Sequence, residues 1–260
     1  MTQPFAWTFR DPVALERWTR WSLYAQIAVG VAALYSGQLE YHVLAGLQQG
    51  SFASEAQAIG AAEASDTRQG IVGMLQLVTM IVSGILILRW IHRANWNARA
   101  LGARHLEFSP GMAIGWYFVP FLNLIKPYQA MKEIYQASTG AERWQGQPVS
   151  VLLGPWWALW LASSFAGNAS FRLALKAEEV DALMTANRVT LVADLLSLPL
   201  CLVFLALMAR IHAMQMRRHA AGAADHAAAP GDPLPAGQES AVAIEAGADP
   251  ASNPASDIRD

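Results

Sequence analysis

The sequence predicts an all-α integral membrane protein, with four transmembrane helices and a proline-broken re-entrant or interfacial helical element between the second and the third. Three observations carry this. Hydrophobic residues fill 54% of the 260 positions and charged ones 15%, with a mean hydropathy of +0.24, a balance that ordinary soluble domains do not show. Four runs stay apolar for about 20 residues, the length a helix needs to cross roughly 30 Å of hydrocarbon. A further apolar stretch, SPGMAIGWYFVPFLNLIKPYQAMKEIYQAS at 109–138, is interrupted by Pro120 and Pro127.

Residues 1–20 form an N-terminal segment carrying Arg10, Arg17 and Arg20. The first span, 21–39, has Trp18 and Trp21 at its start, where indoles sit at the headgroup boundary. Leu34 fits poorly at a small-residue cleavage site before Ser36, so the run is expected to be a retained span rather than a signal peptide. The second span is 71–90. The third, 150–169, opens with Trp156, Trp157 and Trp160, and the fourth is 189–210.

Charge sets the orientation. The loop at 40–70 carries Glu40, Glu55, Glu63 and Asp66 against Arg68, and belongs outside. Arg89, Arg93, Arg99 and Arg104 belong inside. If 109–125 does not cross, 13 Lys or Arg lie inside against four outside; if it crosses, the split is ten to seven. The expectation is therefore a multi-pass protein of the inner, cytoplasmic membrane with both termini cytoplasmic. The membrane domain covers 21–218. After it comes an acidic, Ala- and Pro-rich tail, 219–260, whose composition reads as disordered.

Ser109 followed by Pro110 is a helix start. About ten residues later Pro120 removes a backbone donor and clashes with the preceding turn. Pro127 starts a second helix with Tyr128, Met131, Ile134 and Tyr135 on one face and Gln129, Lys132, Glu133 and Gln136 on the other, a pattern suited to the membrane surface. The alternative is a single proline-kinked crossing helix.

Residues 67–92 align without gaps to 187–212, placing Arg68 on Arg188 and Ile91-His92 on Ile211-His212. Small residues recur every four positions in the first span (Ala28, Ala32, Ser36) and the third (Ala158, Ala162, Ala166, Ser170), suited to close helix approach. Together these make a candidate 2+2 parallel repeat.

The segment WIHRANWNARALG, followed by FSPGMAIGWYFVPFLNLIKPYQAMKEIYQAS, resembles a bacterial membrane family catalogued as domain of unknown function 4328. The likeness covers roughly 15–215 and is most specific in the N-x-x-x-LG of Asn97 to Gly102 and in the SPG, Gly115-Trp116, VPFLN and KPYQ elements. The resemblance implies a multi-span module, in some cases fused to soluble regulatory or zinc-ribbon-like domains, with no established activity and no catalytic residues to carry over.

Several residues are candidates for chemistry. Asp194 is the one carboxylate well inside a span, where a charge needs a partner or a role. Asn123 and Lys126, with the backbone opened by Pro120, form a candidate polar site at membrane depth. Arg89, Arg93, Arg99, Arg104 and Lys132 form a candidate collar for anionic headgroups, or only the topology signal. His92 and His212 end matching spans, so they are candidate haem or metal ligands; helix C-termini also favour His for dipole reasons.

Cys201 is the only cysteine, which excludes an intrachain disulfide and thiolate-based zinc or iron–sulfur sites. No P-loop, G-x-S-x-G, H-E-x-x-H or strand-linked G-x-G-x-x-G is present, so no enzymatic activity and no cofactor is expected. Nor does the charge balance suggest nucleic acid. The expected partners are the lipid bilayer and either a membrane-protein partner or a second copy of the chain. A non-enzymatic partner-binding, scaffold or regulatory module is the first functional expectation. The others are a small transporter or channel using Asp194 and the break at 120–127, and an inner-leaflet haem protein.

Overall fold

The computed structural model describes residues 7–140 and 144–228. The described chain is helical throughout, with no strand. Its helices are α1 (Val13–Gln49), α2 (Glu55–Ala100), α3 (Pro110–Gly115), α4 (Lys126–Ser138), α5 (Leu153–Ala174) and α6 (Val180–Ala228), with short 3-10 turns at Trp116–Phe118, Leu122–Leu124 and Trp144–Gly146. The described residues up to Ala220 form one compact unit, and those from Ala221 belong to a second. Arg143, one of the 13 basic residues expected inside, and 229–260, most of the expected tail, lie outside the described residues. Helix α6 runs on to Ala228, nine residues past the boundary at 219 expected from composition.

The apolar runs 21–39, 71–90 and 189–210 fall within α1, α2 and α6, and 150–169 lies in α5 from Leu153 onward. Two helices, α2 and α6, are long and apolar enough to cross a membrane, with windows of mean hydropathy 2.4. At 1.5 Å per residue α2 is roughly 69 Å long, so it overshoots an apolar layer at both ends. Only 6% of its apolar window is buried within the protein; Ile71, Met74, Val78, Ile81 and Ile85 all face outward.

Helix α1 ends at Gly50, whose φ of +62° is the left-handed cap that glycine adopts without a Cβ penalty. Its packing face differs from the expected small-residue stripe. Ala28 and Ala32 are exposed, as are Ala158 and Ala162 of α5. The buried positions Leu23, Gly30, Gly37 and Leu44 recur every seven residues. A Cβ on Gly30 would lie 2.9 Å from Leu198 Cδ2, and one on Gly37 2.9 Å from Leu191 Cδ2. Two α6 leucines, also seven apart, thus enter the gaps at two glycines, and the two helices run antiparallel. A seven-residue repeat keeps one seam facing a partner helix, which a four-residue stripe does not.

The stretch 109–138 forms no continuous helix. Ser109 caps α3 as expected, accepting from Met112 N–H at 3.2 Å, with Pro110 in the first turn. The helix stops after six residues rather than ten and tightens into the 3-10 turn Trp116–Phe118. Pro127 then opens α4. The expectation of an amphipathic surface helix fails for α4: Pro127, Ala130, Met131, Glu133, Ile134, Gln136, Ala137 and Ser138 are all buried. Its polar face is occupied by the backbone of neighbouring loops, so Glu133 and Gln136 are enclosed rather than solvated.

Candidate functional site

The core gathers where α2 and α6 approach their C-terminal ends. Trp90, Ile91 and Ala94 of α2 pack with Met131 and Ile134 of α4 and with Phe204, Leu207, Met208 and Ile211 of α6. Within this apolar cluster sits a network of fully enclosed polar side chains. Gln215 of α6 donates through Nε2 to Ala94 O at 2.8 Å and to Ser138 Oγ at 2.9 Å, tying three helices together. Arg218 donates to Leu101 O at 2.6 Å and Ala137 O at 3.1 Å, closing the C-terminal carbonyls of α2 and α4.

The loop 101–109 is held from both sides. Glu133 accepts the N–H of Glu107 at 3.0 Å and of Phe108 at 3.2 Å. Asn95 Nδ2 donates to Phe108 O at 3.0 Å, and Arg99 Nη2 donates to the same carbonyl at 2.8 Å. Burial pushes the Glu133 carboxyl above its ordinary range, while the two N–H groups and Arg99 pull the other way.

The N-terminal segment docks on the same end. Asn97 brackets Arg10, accepting its N–H at 3.0 Å and donating to its carbonyl at 2.8 Å. Trp96 donates to Thr8 O at 2.8 Å, and the Arg10 guanidinium lies 3.6 Å from the centre of the Trp96 ring. Between α3 and α4 the chain makes an exposed knuckle. Pro120 O accepts Leu122 N–H at 2.7 Å while Phe121 sits at φ +63°, ψ −41°, a γ-turn of the rare positive-φ kind. Phe118 is 73% exposed and Phe121 83%.

The structure separates the groups that the sequence suggested for one polar site. Lys126 pairs with Glu107 at 3.3 Å and lies 5.3 Å from the Phe108 ring, so it sits by the loop that follows α2, while Asn123 is half-buried in the second 3-10 turn. Asp194 accepts from Gln76 Nε2 at 2.8 Å. Gln76 and Asn95 share α2, and their axial separation is roughly 28 Å. Asp194 is thus a half-buried, hydrogen-bonded carboxylate at the other end of the bundle.

The basic collar is divided in the same way. Arg93 donates to Asp11 O at 2.7 Å and Arg99 to the 101–109 loop, so both act as backbone staples. Arg89 and Arg104 are exposed and Lys132 is half-buried. His92 stacks on Trp96 with centroids 6.4 Å apart, and burial together with Arg10 and Arg93 lowers its pKa. His212 keeps Nδ1 buried without a hydrogen-bond partner among the described residues. Among the described residues no three His, Cys, Asp or Glu side chains gather as a metal cluster.

A second polar cluster sits near the start of α6, where sequence reasoning saw only a charged loop. Asn187 Nδ2 donates to Gly37 O at 3.0 Å and Glu40 Oε2 at 2.7 Å, and Gln69 donates to the same carboxylate. Arg68 reaches Ser36 and Arg188 reaches Tyr41. The two arginines that the internal alignment equates therefore both bind α1.

Residues 53–213 match a protein family described as Domain of unknown function (DUF4328). The match starts within the α1–α2 loop, so α1 lies outside it, whereas the resemblance was expected from about residue 15. No curated protein and no solved structure matches the chain.

Proposed function

The chain belongs to the DUF4328 family, and from that premise we propose that it is a four-span, non-enzymatic membrane module that presents one apolar knuckle to a partner at the inner face of the cell membrane. In this reading α1, α2, α5 and α6 cross the bilayer, both termini are cytoplasmic, and 109–125 is a re-entrant element. The stretch leaves from a loop fastened to Glu133 and returns into the helix that carries Glu133, so both of its ends lie on one side. The lipid-facing rows of α2 and the exposed Trp18 and Trp21 at the start of the first span suit a bilayer.

The carrying observation is the γ-turn at Phe121. Positive φ on a bulky residue costs of order 1–3 kcal/mol and persists where the surroundings enforce it. The turn lies on a segment whose start, Glu107 and Phe108, is bound by Glu133 of α4, and what it displays is two exposed rings, Phe118 and Phe121. Exposed aromatic anchors on a rigid base are the usual hot spots of protein association. A membrane-protein partner or a second copy of the chain fits this surface.

Two measurements test the reading. In a Cys201→Ala background, Thr139→Cys and Arg104→Cys should resist an impermeant thiol reagent added from outside, while Lys176→Cys labels; outside labelling at 139 would overturn the topology. The protein should also purify with a stoichiometric companion or as a defined oligomer, and the pair Phe118→Ser and Phe121→Ser should release it. A monodisperse monomer without a companion sinks the partner reading.

A further inference from the structure

A cavity of about 190 Å³ lies inside the bundle, bounded by α1, α2, α5, α6 and the 3-10 turn Trp116–Phe118. It is larger than a water site, at ~30 Å³ per water, and smaller than the roughly 300 Å³ of a drug-sized pocket. One ring fits, with any tail leaving through the open side.

Its wall is mainly apolar and aromatic, including Trp156, Trp160 and Phe204. Two groups break that pattern. Ser83 Oγ donates to Gln26 Oε1 at 2.6 Å, which leaves the Gln26 amide NH2 without a hydrogen bond among the described residues. Tyr117 packs edge-on to Trp160, with centroids 6.1 Å apart, and its hydroxyl likewise has no hydrogen bond among them. Both groups line the cavity and both offer a donor. An alkyl chain would satisfy neither, whereas a carbonyl oxygen accepts from either, and the surrounding rings favour a planar body in offset or edge-on contact.

We infer that this cavity binds a neutral, membrane-soluble molecule with a flat ring bearing carbonyl oxygens, the chemistry of a lipid-soluble quinone. Gln26 and Tyr117 hold the carbonyls, and the tail runs out between the helices into the lipid. The source of such a ligand is the bilayer, so the inference draws on the membrane reading, but it does not depend on any partner at the Phe121 knuckle.

The test uses the full chain in detergent micelles with a decyl-substituted benzoquinone as probe and tryptophan fluorescence as readout, since Trp156 and Trp160 line the cavity. Wild type should show saturable quenching above the linear background of micelle partitioning. A Cβ at Gly84, another lining residue, meets no atom within 4 Å, so Gly84→Leu has room to fill the space and should abolish the saturable part, while Gly84→Ala reports on folding. Tyr117→Phe should weaken binding roughly tenfold, the value of one hydrogen bond, without changing the melting temperature. Decanol should not compete. Equal quenching in wild type and Gly84→Leu overturns the proposal, and so does competition by decanol as strong as by the quinone, which would mark an acyl-chain crevice. The outside-labelling result at residue 139 is independent of either outcome.

Discussion

The carboxylate of Glu133 receives the backbone N–H of Phe108 at 3.2 Å across 25 residues of chain. Everything between them, including α3, both 3-10 turns and the start of α4, is a closed excursion from one point. A loop pinned at both ends to a buried side chain can hold a strained turn at its tip, because the strain has no route of relaxation through its base. This links the enclosed polar network to the exposed rings of Phe118 and Phe121.

Glu133→Gln tests that pin. Glutamine keeps one acceptor and turns an NH2 group toward the second backbone donor; leaving a buried donor unmet costs about 1–3 kcal/mol, so the variant should melt lower in the same detergent. The pH dependence follows from burial, which raises the Glu133 pKa in the folded state. The folded protein then binds this proton more tightly than the unfolded chain. The group's contribution is full below the ordinary carboxylate pKa and is lost as pH rises through the raised value. The melting difference between wild type and Glu133→Gln should therefore shrink as pH increases. A difference that grows with pH contradicts this account.

Phe121→Gly separates the turn from the ring it carries. Glycine adopts positive φ freely, and removing strain of order 1–3 kcal/mol outweighs the extra entropy glycine loses, about 0.5–1 kcal/mol. The variant should melt at or above the wild-type temperature while losing the companion or oligomer that the knuckle binds. A lower melting temperature would mean that the Phe121 ring packs against something and is not a free display.

The resemblance motifs were legible because each marks a backbone event. SPG is the cap of α3, with Ser109 bound to Met112 N–H. The N-x-x-x-LG run ends α2, where Asn97 grips Arg10 and Gly102 takes φ +91°. VPFLN contains the γ-turn, and the Pro of KPYQ is the first-turn proline of α4. Two of the four membrane-length runs were legible as well, since α2 and α6 keep their apolar windows within single helices. The partners of polar residues were not. Asn95, Glu133, Gln215 and Arg218 look like ordinary surface residues of amphipathic helices. Asn95, Glu133 and Gln215 are buried and Arg218 half-buried because groups brought from far along the chain need their carbonyls and amides met, and nothing local in the sequence encodes that return. The α1 seam was misplaced for a related reason: Ala28, Ala32 and Gly30 are all small, and only the position of Leu198 decides which of them is the contact.

That seam gives a matched pair of substitutions. Gly37→Ile inserts a branched side chain where even a Cβ would meet Leu191 Cδ2 at 2.9 Å and Cγ at 3.4 Å. Overpacking of this kind costs about 1–3 kcal/mol. Gly84→Ala meets no atom within 4 Å and should gain roughly 0.5–1 kcal/mol from helix propensity. Thermal unfolding of both in one detergent checks the ordering, and equal effects would mean that α1 and α6 do not meet at the glycines.

The Asp194–Gln76 pair distinguishes a structural carboxylate from a transporting one. Gln76→Leu removes the one side-chain donor found on Asp194 among the described residues, and stranding a half-buried carboxylate costs about 1–3 kcal/mol. Asp194→Asn retains an oxygen to accept the bond and should cost less. Replacing both by leucine removes the stranded group together with its partner, so the double variant should recover much of the loss, with a coupling of about 0.5–3 kcal/mol in a double-mutant cycle. If Asp194 instead carried an ion or proton through the bundle, Asp194→Asn would abolish a vesicle flux while leaving the melting temperature intact. The separation of roughly 28 Å along α2 between Gln76 and Asn95 keeps Asp194 apart from the loop that Asn95 holds and from Lys126, which pairs with Glu107 of that loop. The coupling should therefore appear in stability, with the oligomer or companion of the Phe121 knuckle unaffected by all three substitutions.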